Sequence, residues 1–192
     1  MKDPAAEKWN QRYRESREPG AVAEVLQRNA HLLPGKGLAL DLACGRGANA
    51  LFLARAGLQV QAWDFSANAL AQLQQQAAIE RLPVVTQNRD VVRCPPDPAQ
   101  FNVIVVSLFL DRSITDNLVA ALKPGGLLFY QTFVKTPHLG RGPDRAQWRL
   151  APSELLRLFS VLDVVYYRED GRLGQNRSPL ADLALFVGVR NA

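Results

Sequence analysis

With 192 residues and 47% hydrophobic content, the chain is long enough for one substantial core and too short for two ordinary domains. Its two cysteines, Cys44 and Cys94, exclude a disulfide scaffold and read as reduced thiols of a cytoplasmic protein. The net charge of +5 invites an anionic partner, but arginines such as Arg28, Arg55, Arg81 and Arg157 stand singly, with no Lys/Arg block, which argues against nucleic acid.

Residues 1–17 are polar and charged, without the apolar core of a signal peptide, and no apolar run approaches the roughly 20 residues that cross a bilayer. Residues 5–15 suit a short amphipathic helix with Trp9 and Tyr13 on one face. Pro19-Gly20 ends it, and a second helix runs over 21–33 to Pro34-Gly35. Residues 1–34 are thus expected to form a helical lid, and 35–192 the main domain, as one structural unit. Strand and helix patterns then alternate: strand 37–42, helix 47–56, strand 59–63, helix 66–80 with Ser66 as N-cap, and strand 83–88. Strand 102–107, helix 113–122 and strand 126–133 follow. The alternation predicts a parallel sheet covered on both faces. Residues 136–145 form a polar loop rich in Gly and Pro, residues 152–159 a short helix, and 161–167 with 183–189 an antiparallel pair.

Two segments carry the chemistry. Leu38-Ala39-Leu40-Asp41-Leu42-Ala43-Cys44-Gly45-Arg46-Gly47 takes an apolar strand into a glycine turn that opens a helix, and Val60-Gln61-Ala62-Trp63-Asp64 ends a second strand in a carboxylate. That is the skeleton of an adenine-nucleoside site on a parallel sheet. Gly45 permits the sharp turn, Gly47 lets a ligand press against bare main chain, and Ala50 is small enough for the helix to pack on the strand. Asp64 is placed to accept hydrogen bonds from both ribose hydroxyls. Asp41 discriminates between ligands. A carboxylate so close to the turn repels a diphosphate, whereas S-adenosylmethionine carries an ammonium and a sulfonium and no phosphate. In the plainer alternative, Asp41 only hydrogen-bonds loop amides and Asp64 is an ordinary turn aspartate.

Asp41-x-x-x-Gly45-x-Gly47 with Asp64 resembles motifs I and II of the class I S-adenosylmethionine-dependent methyltransferases, and the resemblance runs over residues 9–189. It implies an α/β fold: a single Rossmann-like, doubly wound, mostly parallel sheet with an antiparallel C-terminal hairpin and helices on both faces. In that family the acid ending the third strand, here Asp90, caps the adenine amino group. The end of the fourth strand, Phe101 to Ser107, lies beside the methionine part of the cofactor. Leu122-Lys123-Pro124-Gly125-Gly126 matches the family's turn into strand five. Asn102 departs from the family's usual Asp. The resemblance thus implies S-adenosyl-L-methionine as cofactor and S-adenosyl-L-homocysteine as product, with Asp41, Ala43, Gly45, Gly47, Asp64, Phe65, Asp90, Val91 and Ser107 around it. Trp9-Asn10-Gln11-Arg12-Tyr13 is similar to the leading helix of the tellurite-resistance and thiopurine type, in which a residue matching Arg12 or Tyr13 meets the methionine carboxylate. That group implies a small-molecule methyl acceptor.

Methyl transfer from a sulfonium is an in-line displacement. A soft nucleophile needs no base, while an amine or phenol does. His138, Tyr130 and Asp144 are the candidates for that base, and Arg112, Arg141 and Arg145 are candidates for an anionic substrate or plain surface charge. His31 and His138 stand apart, so no metal site is expected. Ser107-Leu108-Phe109-Leu110 lacks the Asn/Asp-Pro-Pro-aromatic tetrad of amino-directed DNA methylation. Three other readings stay open: an RNA or protein methyltransferase, a nicotinamide-dependent oxidoreductase, and a cofactor-binding protein without catalysis. The residues set no oligomeric state.

Overall fold

The computed structural model of the chain describes residue 11 and residues 20–135, 137, 139–171 and 178–191. The helix expected over 5–15, with Arg12 and Tyr13, and loop residue His138 lie outside the described residues.

A seven-stranded sheet carries the fold. Its strands are β1 (Leu38–Leu42), β2 (Gln59–Asp64), β3 (Val84–Asn88), β4 (Phe101–Ser107), β5 (Leu122–Phe133), β6 (Asp163–Glu169) and β7 (Leu183–Val189), in the order β3-β2-β1-β4-β5-β7-β6. The first five are parallel, and β7 runs antiparallel to both β5 and β6. Composition places the last two strands. Leu183–Val189 is apolar and buried almost throughout, so it takes the interior position. β6, with Val164 and Val165 exposed, becomes the edge.

Both faces of the sheet are covered, which is why its central strands read as continuous apolar runs. On one face Ala39, Val60, Ala62, Val103 and Val105 pack under α1 (Glu24–Arg28), α2 (Ala48–Arg55) and α3 (Ala67–Ile79). On the other, Leu40, Leu42, Trp63, Ile104 and Val106 pack under α4 (Thr115–Ala121) and α5 (Glu154–Leu158). No helix among the described residues is long and apolar enough to cross a membrane.

Two boundaries differ from the sequence expectation. The helix expected over 21–33 is only α1 plus a 3-10 turn at Ala30–Leu32. Asn29 donates its side-chain amide to the Val25 carbonyl at 2.9 Å, occupying the acceptor that a further helical turn would use. β5 begins at Leu122 and not at 126, because Leu122 already pairs with Phe101 before a register shift to Val103–Leu127. At the shift an added Cβ on Gly126 would stand 2.8 Å from the Lys123 carbonyl oxygen. Asn102 accepts a hydrogen bond from the Leu38 N–H at 3.1 Å and so fastens the start of β1.

Gly47 is the N-cap of α2 at φ 72°. A Cβ there would stand 2.4 Å from both δ carbons of Leu73 on α3. Left-handed strain and overpacking act together, so Gly47→Ala is expected to cost about 3 kcal/mol in urea unfolding. Combined with Leu73→Ala, the loss should be smaller than the sum of the single losses, because the truncated side chain no longer meets the new methyl. Strict additivity would show that backbone strain alone forbids the substitution.

Candidate active site

The carboxyl ends of the parallel strands meet at a glycine turn. Ala43, Gly45 and Gly47 all adopt positive φ, at 55°, 54° and 72°. Ala43 holds that conformation against a cost of roughly 1–2 kcal/mol for a residue with a Cβ. The Cys44 N–H donates to the Trp63 carbonyl at 3.0 Å, which pins the turn to the end of β2. The missing Cβ of Gly47 points toward Leu73, so helix packing also calls for a glycine here.

Three carboxylates stand at or just beyond the ends of three adjacent strands. Asp41, on the face under α2, accepts the Ala50 N–H at 2.9 Å through Oδ2. Gly47 offers α2 no side-chain cap, so the strand beneath supplies one. Asp41 Oδ1 is buried and has no hydrogen-bond partner of good geometry among the described residues, although the Asn49 side chain lies close enough to ease the carboxylate's charge. Asp64 accepts the Gly45 N–H through Oδ2 and the Ser66 N–H through Oδ1, each at 2.7 Å. It therefore shapes the glycine turn and the start of α3, a role that the ribose expectation left out. Asp90 accepts the Val92 and Arg93 N–H groups through Oδ1 at 3.0 and 3.2 Å, and its Oδ2 lies 3.4 Å from Arg93. Half-buried Phe65 and buried Val91 follow two of these acids directly.

At the ends of β4 and β5, Ser107 is half-buried and Leu108 stands 55% exposed at φ 57°. A cleft of about 320 Å³ opens here, between the segment leading into α1, Leu108, Gln131, Phe133, Arg141 and Leu183. Gln131 accepts the Val25 N–H at 2.9 Å and Asn49 accepts the Ala23 N–H at 2.8 Å, so α1 is tied to the sheet edge at its first turn.

Two of the candidate side chains, Tyr130 and Arg112, have partners within the fold. Tyr130 is buried against Phe159 and donates its hydroxyl to the Phe109 carbonyl at 3.0 Å. Burial pushes its pKa further up, so the hydroxyl holds its proton and donates it to that carbonyl. Arg112 forks onto Glu154 at 2.6 and 3.0 Å and donates to the Gln147 and Arg149 carbonyls, tying the chain before α5 to the end of β4. Arg145 lies over the Trp148 ring at 5.0 Å, and Asp144 is exposed. Sequence reasoning missed Asp182. This fully buried carboxylate accepts the Leu139 and Arg141 N–H groups at 2.8 and 3.0 Å and holds the loop after β5. Its one signal was its place just ahead of the wholly apolar run of β7.

Residues 39–126 match the family described as a methyltransferase domain. Hemagglutinin 1 of Eikenella corrodens is 37% identical over 93 residues, 45% of this chain and 31% of that protein. The probable S-adenosyl-L-methionine-dependent methyltransferase TehB of Haemophilus influenzae is 30% identical over 86 residues, 44% of this chain and 30% of that protein. The crystal structure of the Haemophilus influenzae TehB superposes with a TM-score of 0.74 at 19% identity, covering 95% of this chain and 67% of that one. Residues 39–126 are thus similar to a methyltransferase domain, and the chain as a whole shares the fold of the tellurite-resistance protein TehB. S-adenosyl-L-methionine is the cofactor that the name of this TehB relative carries. The matched segments span less than a third of the two curated relatives' length.

Within this site, burial raises the Asp41 pKa from 3.8 to about 7, and the Ala50 N–H and the Asn49 side chain offset only part of the rise. Burial raises Asp64 as well. Between the ordinary carboxylate range and about pH 7 the folded chain keeps a proton on Asp41 that the unfolded chain releases, so stability falls as pH rises through that window. From pH 5 to pH 8 the ligand-free protein is expected to lose about 3 kcal/mol through this group. Asp41→Asn keeps an oxygen for the Ala50 N–H and removes the titration. Urea unfolding at the two pH values should show most of the loss gone in that variant, with a smaller slope of the same sign left by Asp64. An unchanged pH dependence would mean that Asp41 is ionised throughout.

Proposed function

We propose that this chain transfers a methyl group from S-adenosylmethionine to a small-molecule acceptor. The observation that carries the reading is the buried Oδ1 of Asp41 beneath the glycine turn, which takes no well-formed hydrogen bond from the described residues. An orphaned carboxylate oxygen suits a cationic ligand and disfavours a diphosphate, so the residues present fit this cofactor and not a dinucleotide.

When bound, S-adenosylmethionine supplies a methyl group on a sulfonium, an already good leaving group. The chain supplies place and dryness. Asp41 offers its charge to the ammonium, whose approach favours the ionised carboxylate. Asp64 retains a lone pair on each oxygen beyond its Gly45 and Ser66 bonds, and these receive the ribose hydroxyls. Phe65 and Val91 flank the adenine, Asp90 faces its amino group, and the main chain of Ala43 and Gly45 lies along the ligand. Ser107 stands where the methionine part ends. The roles of Arg12 and Tyr13, and of the 1–34 segment as a lid, rest on the family resemblance.

The acceptor atom attacks the methyl carbon from the side opposite the sulfur. Its lone pair forms the new bond while the C–S pair stays on sulfur, leaving a neutral thioether. Holding the two partners in line in a water-poor cleft contributes up to roughly 7–11 kcal/mol. The cleft at the ends of β4 and β5, about 320 Å³, is of the size that takes small molecules, which supports a small acceptor over a macromolecular one.

A thermal-shift series with S-adenosylhomocysteine, NAD and NADP tests the cofactor. At 100 times its dissociation constant a ligand stabilises by about 2.7 kcal/mol. A clear rise in Tm is expected with S-adenosylhomocysteine alone. A shift with NAD or NADP instead would overturn the reading.

A further inference from the structure

We infer that Asn49 is a positioning residue that couples the arrival of the cofactor at Asp41 to the seating of α1, and so to one wall of the acceptor cleft. The inference rests on the methyltransferase reading and adds to it a link between the places of the two ligands.

Asn49 is the second residue of α2, next to Ala50, whose N–H is bonded to Asp41 Oδ2. Its side chain is buried, and its Oδ1 accepts the Ala23 N–H at 2.8 Å. That bond orients the amide. The carbonyl end is turned to the chain entering α1, which leaves the Nδ2 end for Asp41, where the Asn49 side chain eases the carboxylate's charge. One planar group thus has Asp41 at one end and Ala23 at the other.

The far end of this link is a marginal element. α1 has five residues, and so short a helix does not hold itself together. Its N-cap, Ala23, has no side-chain oxygen to offer the first turn. Side chains from the sheet edge take the leading amides instead, Asn49 at Ala23 and Gln131 at Val25, the latter at 2.9 Å. The stretch held in this way contributes Val22, Glu24 and Gln27 to the cleft at the ends of β4 and β5. The position of α1 therefore sets the position of that wall.

The near end changes with the ligand. In the ligand-free chain Asp41 is buried with Oδ1 short of a well-formed bond, a setting that disfavours its charge. Beside the ammonium of the cofactor the carboxylate is held ionised, and an ionised oxygen is the stronger acceptor for Asn49 Nδ2. An amide polarised at its N–H end is a better acceptor at its carbonyl end, so the Ala23 bond tightens in step. By linkage the coupling is reciprocal: a seated α1 favours a charged Asp41 and with it the cofactor.

The test is amide hydrogen exchange at Val25, resolved by NMR, in the wild-type chain and in Asn49→Ala. Each is measured free, saturated with S-adenosylhomocysteine, and saturated with 5′-methylthioadenosine, which keeps the nucleoside and lacks the ammonium. In the wild type, S-adenosylhomocysteine is expected to slow the exchange at least about fivefold and 5′-methylthioadenosine less than about twofold. In Asn49→Ala the free protein should exchange faster, and the slowing by S-adenosylhomocysteine should fall below about twofold. A merely structural prop would instead speed exchange by the same factor with and without ligand. Slowing that survives in Asn49→Ala, or equal slowing by the two ligands in the wild type, would overturn the inference. The contrast between the ligands decides alone if the variant fails to fold. Binding of S-adenosylhomocysteine without any slowing strikes the coupling and leaves the methyltransferase reading standing, whereas failure to bind strikes that reading and the coupling with it.

Discussion

Parallel strands that stop together leave backbone N–H groups of the following turns without partners, and in this chain carboxylates at neighbouring ends take them up. Asp41 caps α2 through Ala50, Asp64 gathers Gly45 and Ser66, and Asp90 closes the turn at Val92 and Arg93. A helix or turn that starts buried needs such an acceptor. The same three side chains are those that the family resemblance assigns to the cofactor. One set of oxygens builds the rim of the crevice, and the lone pairs left over face into it. Ligand binding and loop architecture are therefore not separable here: a substitution at Asp64 removes the anchors of the glycine turn together with any ribose contact.

The arrangement also stores free energy. Asp41 is held in a site that disfavours its charge, with one oxygen satisfied and one not. Ala43 is held at a positive φ where a glycine would sit at less cost. Both costs concentrate at the end of β1 and in the turn that follows it, and the well-packed sheet beneath, with Leu40, Leu42 and Val105 fully buried, holds them in place. A cation meeting Asp41 relieves the first cost, which gives a physical reason for the ligand to stabilise the fold beyond its direct contacts.

The strands and helices were legible because their apolar periods are clean. β7 is apolar at nearly every position, and α3 carries Ala69, Leu70, Leu73 and Ala77 toward the sheet. The crevice was legible from the glycine spacing and two acids. What the sequence concealed is direction. Tyr130 and Arg112 lie at the correct edge of the sheet, yet one points into the core and the other across to Glu154, and linear order does not distinguish an inward from an outward polar group. The packing neighbour of Gly47 was hidden as well, since Leu73 comes near it only after α3 has folded back. Asp182 and Gln131 gave no motif at all. Their partners, Leu139, Arg141 and Val25, lie 41 to 106 residues away in the chain and meet them only across the finished sheet.

The strand order explains why two ligands are handled by different means. It reverses between β1 and β4, and crevices form at such switch points. To one side, the ends of β1, β2 and β3 offer carboxylates. To the other, the ends of β4 and β5 offer an amide, a guanidinium and apolar walls. On the reading proposed, the carboxylates of the first side meet the cationic groups of the cofactor, while the mostly apolar walls of the second shelter the acceptor from water. The reacting atoms then meet above the seam, near Ser107, so the sheet itself sets the line of the methyl transfer before any catalytic group acts.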